Sequence, residues 1–177
     1  MRKIMLSVLF SLCLLLTGVC SAAGMGSGLS KHDIDNVVVK VYCEAEETGA
    51  VVSDSWYDDM TAFVVDNLKE KGITATGSGA VWKDFLDENK EVSIARESAM
   101  RDYERFVRSR YNGELGIHVF KYKDNGDGTS DVEVSLAINV YNNSPSHSFS
   151  YGSSSHVYGV KGDRMEVLKK SVTSLLR

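Results

Sequence analysis

Residues 132–140 carry the clearest pattern in the chain, because an apolar side chain stands at every second position. The apolar positions are Val132, Val134, Leu136, Ile138 and Val140, and polar or small residues stand between them. Side chains alternate between the two faces of a strand, so this period of two predicts a strand over 131–141. One buried face and one polar face are typical of an antiparallel strand in a two-layer fold.

Four other segments are predicted to be strands. Residues 34–43 form a nearly continuous apolar and β-branched run, which is typical of an interior strand. The other three predicted strands cover 73–76, 115–122 and 149–158. The sequence DNGDG at 124–128 predicts a hairpin turn and not a calcium loop, because strands flank it and an EF-hand requires helices.

Helical spacing is clearest after residue 55. The apolar residues Trp56, Met60, Phe63, Val64 and Leu68 lie on one face of a helix that Gly72 is expected to end. Further helices are predicted over 80–89, over 93–111 and after Asp163, with Glu166 at the capping-box position. The sequence therefore predicts an α+β fold, with a mixed, largely antiparallel sheet of about five strands and two or three main helices packed on it.

The first 23 residues have the three parts of a bacterial secretory signal peptide. Arg2 and Lys3 precede an apolar run over 4–16, and small residues follow up to Gly24. The run is shorter than the ~20 residues that a membrane-spanning helix needs. We therefore predict a signal peptide over 1–23, a flexible tether over 24–33 and a single α+β domain over 34–177. The mature chain is expected to be periplasmic or secreted.

A second processing route depends on Cys20. A lipid-modified N-terminus would need a small residue before the cysteine and usually a leucine three places before it, but these positions hold Val19 and Thr17. Contact with a membrane is therefore expected only if Cys20 is lipidated, which the sequence disfavours. Cys43 is the one cysteine beyond the predicted leader. It cannot form an internal disulfide, and its apolar surroundings predict a buried packing role.

Charge and motifs narrow the possible functions. The formal net charge is −4, and loss of Arg2 and Lys3 with the leader makes it −6. A mildly acidic chain is not typical of a nucleic-acid binder. The sequence has no G-x-S-x-G elbow, and Gly77-x-Gly79 lacks the third glycine of a dinucleotide loop. We therefore predict neither enzymatic activity nor a cofactor.

Two histidines are candidate metal ligands. His147 and His156 would face each other across a hairpin if Tyr151-Gly152 formed its two-residue loop. A closed zinc site needs four ligands, and no cysteine or carboxylate is close in sequence. These histidines, together with Tyr151 and Tyr158, still give a second hypothesis for function. In this hypothesis the chain is a periplasmic protein that binds a small ligand or a metal.

The first hypothesis for function is a non-catalytic module that binds another envelope protein. The Ser-, Tyr- and His-rich segment at 146–158 could pair with a partner strand, and its candidate contact residues are Phe149, Tyr151, His156 and Tyr158. The helix at 93–111 also carries five arginines among acidic residues. This pattern predicts a solvated face with local ion pairs, and the alternative is a docking surface for an acidic partner.

The order of elements resembles a family of envelope accessory domains. The features that carry the resemblance are the Val-rich first strand, the helix ending in 68–72, the apolar strand at 115–120, the alternating strand at 132–140 and the C-terminal helix. They resemble the domain shared by the TolB N-terminus and CsgG-like proteins, over roughly 34–177. The resemblance implies a non-catalytic binding or scaffolding domain, and it assigns a role to no individual residue.

Overall fold

The computed structural model describes residues 34–44, 52–89, 97–141 and 148–177. Its helices are α1 (Asp54–Glu70), α2 (Ser78–Glu88), α3 (Glu97–Arg110) and α4 (Arg164–Leu176). Its strands are β1 (Asn36–Cys43), β2 (Thr74–Gly77), β3 (Gly113–Asp124), β4 (Thr129–Tyr141) and β5 (Ser148–Lys161). The predicted signal peptide, tether and Cys20 lie outside the described residues, so that part of the domain division stays a prediction.

The five strands form one sheet in the order β2-β1-β3-β4-β5. β1 pairs in parallel with β2 and β3, while the pairings β3–β4 and β4–β5 are antiparallel. Parallel neighbours require a crossover, and α1 supplies it between β1 and β2, while α2 and α3 lie between β2 and β3. The predicted α+β fold with a mixed five-stranded sheet is confirmed.

One face of the sheet packs against α1 and α4. The apolar side chains of β4 at 132–140 are buried there, as their alternation predicted. The helices bury two apolar stripes against them: Trp56, Met60, Val64 and Leu68 from α1, and Val167, Leu168, Val172, Leu175 and Leu176 from α4. Burial of one such side chain contributes about 1.5–3 kcal/mol, so this first core is the main source of stability.

The ends of these helices follow their sequence signals. Gly72 has a φ of 79°, and its N–H bonds to the carbonyl of Lys69 at 2.9 Å. The N–H of Ile73 bonds to the carbonyl of Leu68 at 3.0 Å, which completes a Schellman motif that ends α1. At the start of α4, the side chain of Asp163 accepts the backbone N–H of Glu166 at 2.9 Å, as predicted.

A second, smaller core lies on the opposite face of the sheet. Val38 of β1 is buried against Val81 and Phe85 of α2 and against Tyr103 and Val107 of α3. Its neighbours in sequence, residues 37 and 39, are buried in the first core. The apolar run of β1 is nearly continuous because both faces of this strand are covered.

The strand predicted over 149–158 is confirmed, and the structure shows that Tyr151-Gly152 does not form a two-residue hairpin loop. β5 continues from Ser148 to Lys161 as a single strand and pairs with β4 along its length. Its many serines and glycines resembled turn residues, but the long β4 ladder holds them in extended backbone. The proposed closeness of His147 and His156 depended on this hairpin, and His147 lies outside the described residues. The hairpin therefore no longer supports a metal site formed by these two histidines, and that site stays an untested prediction.

Candidate binding surface

A large part of the second sheet face has no helix of the described residues packed on it, and we call this part the open face. The contacts of α2 with the sheet fall on β1 and β2. Tyr42, Phe120 and Tyr158 project from the open face, with 50%, 39% and 54% of their surfaces exposed. Exposed aromatic side chains are typical of interaction surfaces.

Polar contacts connect the strands across the open face. Glu133 of β4 contacts two β5 side chains: its Oε1 lies 3.2 Å from His156 Nδ1, and its Oε2 accepts the Tyr158 hydroxyl at 3.1 Å. On β3, His118 Nε2 lies 3.0 Å from Glu44 Oε1, and its ring centroid lies 4.0 Å from that of Phe120. The side chains of this face are therefore held in defined positions.

The β5 end of the sheet is an exposed edge. β5 has 14 residues, and no described strand pairs with its outer side. The opposite edge strand, β2, has only four residues. Natural proteins protect long edges with proline, charge or strand bulges. β5 has no proline and no acidic residue, its one lysine is the terminal Lys161, and its pairing with β4 is irregular only near Val157 to Val160.

A cavity of about 310 Å³ lies where α3 meets the open face. Its helical wall is formed by Met100, Tyr103, Glu104, Val107 and Arg108. Its floor is formed by four residues of β1, β3 and β4: Lys40, Glu114, Asn139 and Tyr141. Apolar, cationic and anionic groups therefore line one small volume, which is within the size range of ligand sites.

Glu114 organises the floor of this cavity. Its Oε2 lies 2.8 Å from Lys40 Nζ and accepts the Tyr141 hydroxyl at 2.9 Å. The Arg108 guanidinium lies over the Tyr141 ring, 4.6 Å from its centroid. Burial and the negative charge of Glu114 both raise the pKa of Tyr141. Burial, with a smaller contribution from Glu114, raises the pKa of Tyr103 to about 12, so both phenols stay neutral donors at physiological pH.

The structure places the predicted site residues on or beside the β5 edge. His156 and Tyr158 lie on the open face, and their contacts with Glu133 are described above. The backbones of Phe149 and Tyr151 pair with Val140 and Ile138 of β4. The hairpin turn predicted at 124–128 is confirmed, because it connects β3 and β4.

Sequence reasoning missed the cavity. Lys40 and Glu114 are charged residues inside or beside apolar strand segments, and this was the available signal. The arginines of α3 were expected to form local ion pairs; Arg105 does so within the helix, while Arg110 pairs with a glutamate of α2. Arg110 lies 2.6 Å from Glu88, and Arg105 lies 3.4 Å from Asp102. Arg108 instead stacks on an aromatic ring of the sheet.

The described residues contain neither a cluster of metal ligands nor a helix suited to a membrane. No group of three or more histidine, cysteine, aspartate or glutamate residues is arranged so that it could hold a metal ion. None of the helices in the described ranges combines the length and the apolar character needed to cross a bilayer.

The fold and surface describe an α+β domain with a mixed five-stranded sheet, helices on both faces and a long exposed edge strand. No known protein-family model matches the chain, and no curated protein matches it. Three similar solved structures come from bacteria. A variant of the PelC dodecamer from Paraburkholderia phytofirmans is 14% identical with a TM-score of 0.49, and the match covers 90% of this chain and 91% of that chain.

The other two structures are more distant. Lipoprotein GNA1162 from Neisseria meningitidis is 14% identical with a TM-score of 0.44, over 80% of this chain and 94% of that chain. Protein XCC0632 from Xanthomonas campestris is 13% identical with a TM-score of 0.38, over 81% of this chain and 77% of that chain. The predicted resemblance to the TolB N-terminal/CsgG-like family is wrong, because the structure neighbours are these proteins and not TolB or CsgG-like ones.

Proposed function

We propose that this chain is an exported, non-catalytic module of the bacterial cell envelope that binds another envelope protein. In this proposal the partner adds a strand to the outer side of β5. The export part rests on the sequence of residues 1–23, where basic, apolar and small residues follow in the order of a secretory leader.

The observation that carries the proposal is the length and composition of the β5 edge. An unpaired edge presents backbone N–H and C=O groups at every second residue, and a 14-residue strand offers a long row of them. Its side chains are mostly small and uncharged, so a partner strand would meet neither steric obstruction nor repulsion. Strand addition obtains affinity from such backbone bonds and specificity from the side chains beside them.

The side chains beside the edge would supply that specificity. His156 and Tyr158 are held by Glu133 on the open face, and the exposed Tyr158 ring also has the Lys121 ammonium 5.2 Å from its centroid. A partner strand beside β5 would contact this ordered aromatic and charged group. Tyrosine in such a position is typical of residues that dominate binding energy.

The test is capture of partners from an envelope extract by the wild type and by two matched lysine variants. Ser154→Lys places a charge on the exposed edge, opposite Ser135 of β4, while Ser98→Lys places the same charge on the exposed surface of α3. We expect Ser154→Lys to lose the captured protein and Ser98→Lys to retain it, with both variants folded by circular dichroism. Equal capture by the two variants would refute binding along the edge.

A separate measurement tests the predicted export. Mass spectrometry of the chain recovered from the periplasm should give a mature N-terminus near Gly24. Recovery of the intact precursor only from the cytosol would contradict the proposed location, whatever the capture experiment shows.

A further inference from the structure

The cavity between α3 and the open face contains two charged groups, on Glu114 and Arg108, that could bind a ligand. Both contacts of Glu114 are made by Oε2, and no hydrogen bond within the described ranges reaches its Oε1. No carboxylate of the described residues lies within ion-pair distance of Arg108, although Glu104 stands one helical turn before it. A carboxylate oxygen and a guanidinium are therefore both open toward the same volume.

The Tyr141 ring sets the spacing of these two charges. The guanidinium of Arg108 lies over the ring face, and the hydroxyl of the same ring donates to Glu114. The anionic and cationic groups are thus separated by about one aromatic ring. Stacking keeps the guanidinium plane oriented while its N–H groups stay available for a bidentate carboxylate contact.

The helical wall supplies an apolar surface beside the charges. Val107 and Tyr103 are buried, while Met100 has 54% of its surface exposed. Methionine is flexible and polarizable, so it can adapt to ligands of different shape. A ligand that matches the whole cavity has a carboxylate, a cationic donor close to it and an apolar group.

We propose that this cavity binds a free α-amino acid with an apolar side chain. The ligand carboxylate binds Arg108, the ligand ammonium binds Oε1 of Glu114, and the apolar side chain packs on Met100 and Val107. The volume of about 310 Å³ is at the lower end of ligand sites, which fits a ligand of this size. This site does not involve β5, so it is independent of the proposed partner binding.

Isothermal titration calorimetry with leucine, methionine and phenylalanine tests the site on the full mature chain. Leucinamide lacks the carboxylate and N-acetyl-leucine lacks the ammonium, so each removes one of the two charged contacts. We expect saturable binding of at least one of the three amino acids and about 10- to 100-fold weaker binding of both leucine analogues. Absence of binding by all three amino acids would overturn the proposal, as would equal binding of leucine and its analogues.

Protein variants locate the binding. Arg108→Gln and Glu114→Gln should each weaken binding about 10- to 100-fold, while Arg105→Gln, on the same helix but not in the cavity wall, should bind like the wild type. Since Glu114 also holds Lys40 and Tyr141, thermal unfolding of each variant is measured first. Arg108 is exposed, so Arg108→Gln is expected to fold normally. Unchanged binding by Arg108→Gln would refute the assignment.

Discussion

Truncation of Phe85 tests whether the second core holds α2 and α3 onto the sheet. Phe85 is 1% exposed. Its ring makes three aromatic contacts, with centroids 5.4 Å from Trp82, 5.6 Å from Tyr103 and 5.5 Å from Phe106. The contacts to Tyr103 and Phe106 cross from α2 to α3. Phe85→Ala therefore removes the side chain that connects the two helices at the centre of this core.

The expected cost is set by burial and by the cavity left behind. Phe→Ala changes at fully buried sites cost about 3–5 kcal/mol, and the three edge-to-face or tilted ring contacts favour the upper half of that range. For a chain of this length, about 2–4 °C of melting temperature corresponds to 1 kcal/mol. Phe85→Ala should therefore lower the melting temperature by roughly 8–20 °C.

Urea unfolding followed by tryptophan fluorescence and circular dichroism measures this cost. Trp56 reports on the first core and Trp82 on the second, so coincident transitions would show that the two cores unfold together. Phe120→Ala is the matched control, because Phe120 is an exposed phenylalanine of the open face, and it should cost about 1 kcal/mol or less. Equal costs for the two variants would refute the described packing of the second core.

Three further predictions concern local features. Gly72→Ala should destabilise the chain by about 1 kcal/mol in urea unfolding, because Gly72 has a positive φ, whereas Gly79→Ala in α2 should not destabilise it. Asp163→Ala should also cost about 1 kcal/mol by the same assay, since it removes the cap on the N–H of Glu166. The pKa of Tyr103 is raised to about 12 from an ordinary 10, so folding favours its neutral form. The contribution of Tyr103 to stability should be constant below about pH 10 and should be lost between about pH 10 and 12, which thermal unfolding over this range can follow.

Each of these three predictions would be contradicted by a specific outcome. A neutral Gly72→Ala would contradict the left-handed backbone at the end of α1, and a neutral Asp163→Ala would contradict the cap. Full ionisation of all tyrosines near pH 10, seen as tyrosinate absorbance, would contradict the burial of Tyr103.

The hydrophobic pattern predicted the first core well because each element there follows one period. The alternation at 132–140 and the helical spacing from Trp56 to Leu68 each point to a single buried face, and the structure buries those faces. Gly72 and Asp163 also carried clear signals, because backbone conformation and capping are local properties.

The features that the sequence did not predict depend on distant parts of the chain. The sequence predicted a strand only over 149–158 and left a hairpin at Tyr151-Gly152 open, because Ser and Gly residues have low strand propensity. The pairing with β4 shows that the whole of Ser148–Lys161 is extended. The cavity brings together Lys40, Arg108, Glu114 and Tyr141 from four elements. No local pattern shows that these side chains meet, so the candidate ligand site required the tertiary structure.

Hydrogen–deuterium exchange on the captured complex is the most direct test of the central claim. The outward-facing amides of β5 have no partner strand among the described residues, so they should exchange quickly in the free chain. If a partner adds a strand to this edge, we predict slower exchange over 148–161 and little change in the short edge strand β2. Unchanged exchange over 148–161 in a stable complex would contradict binding along the β5 edge.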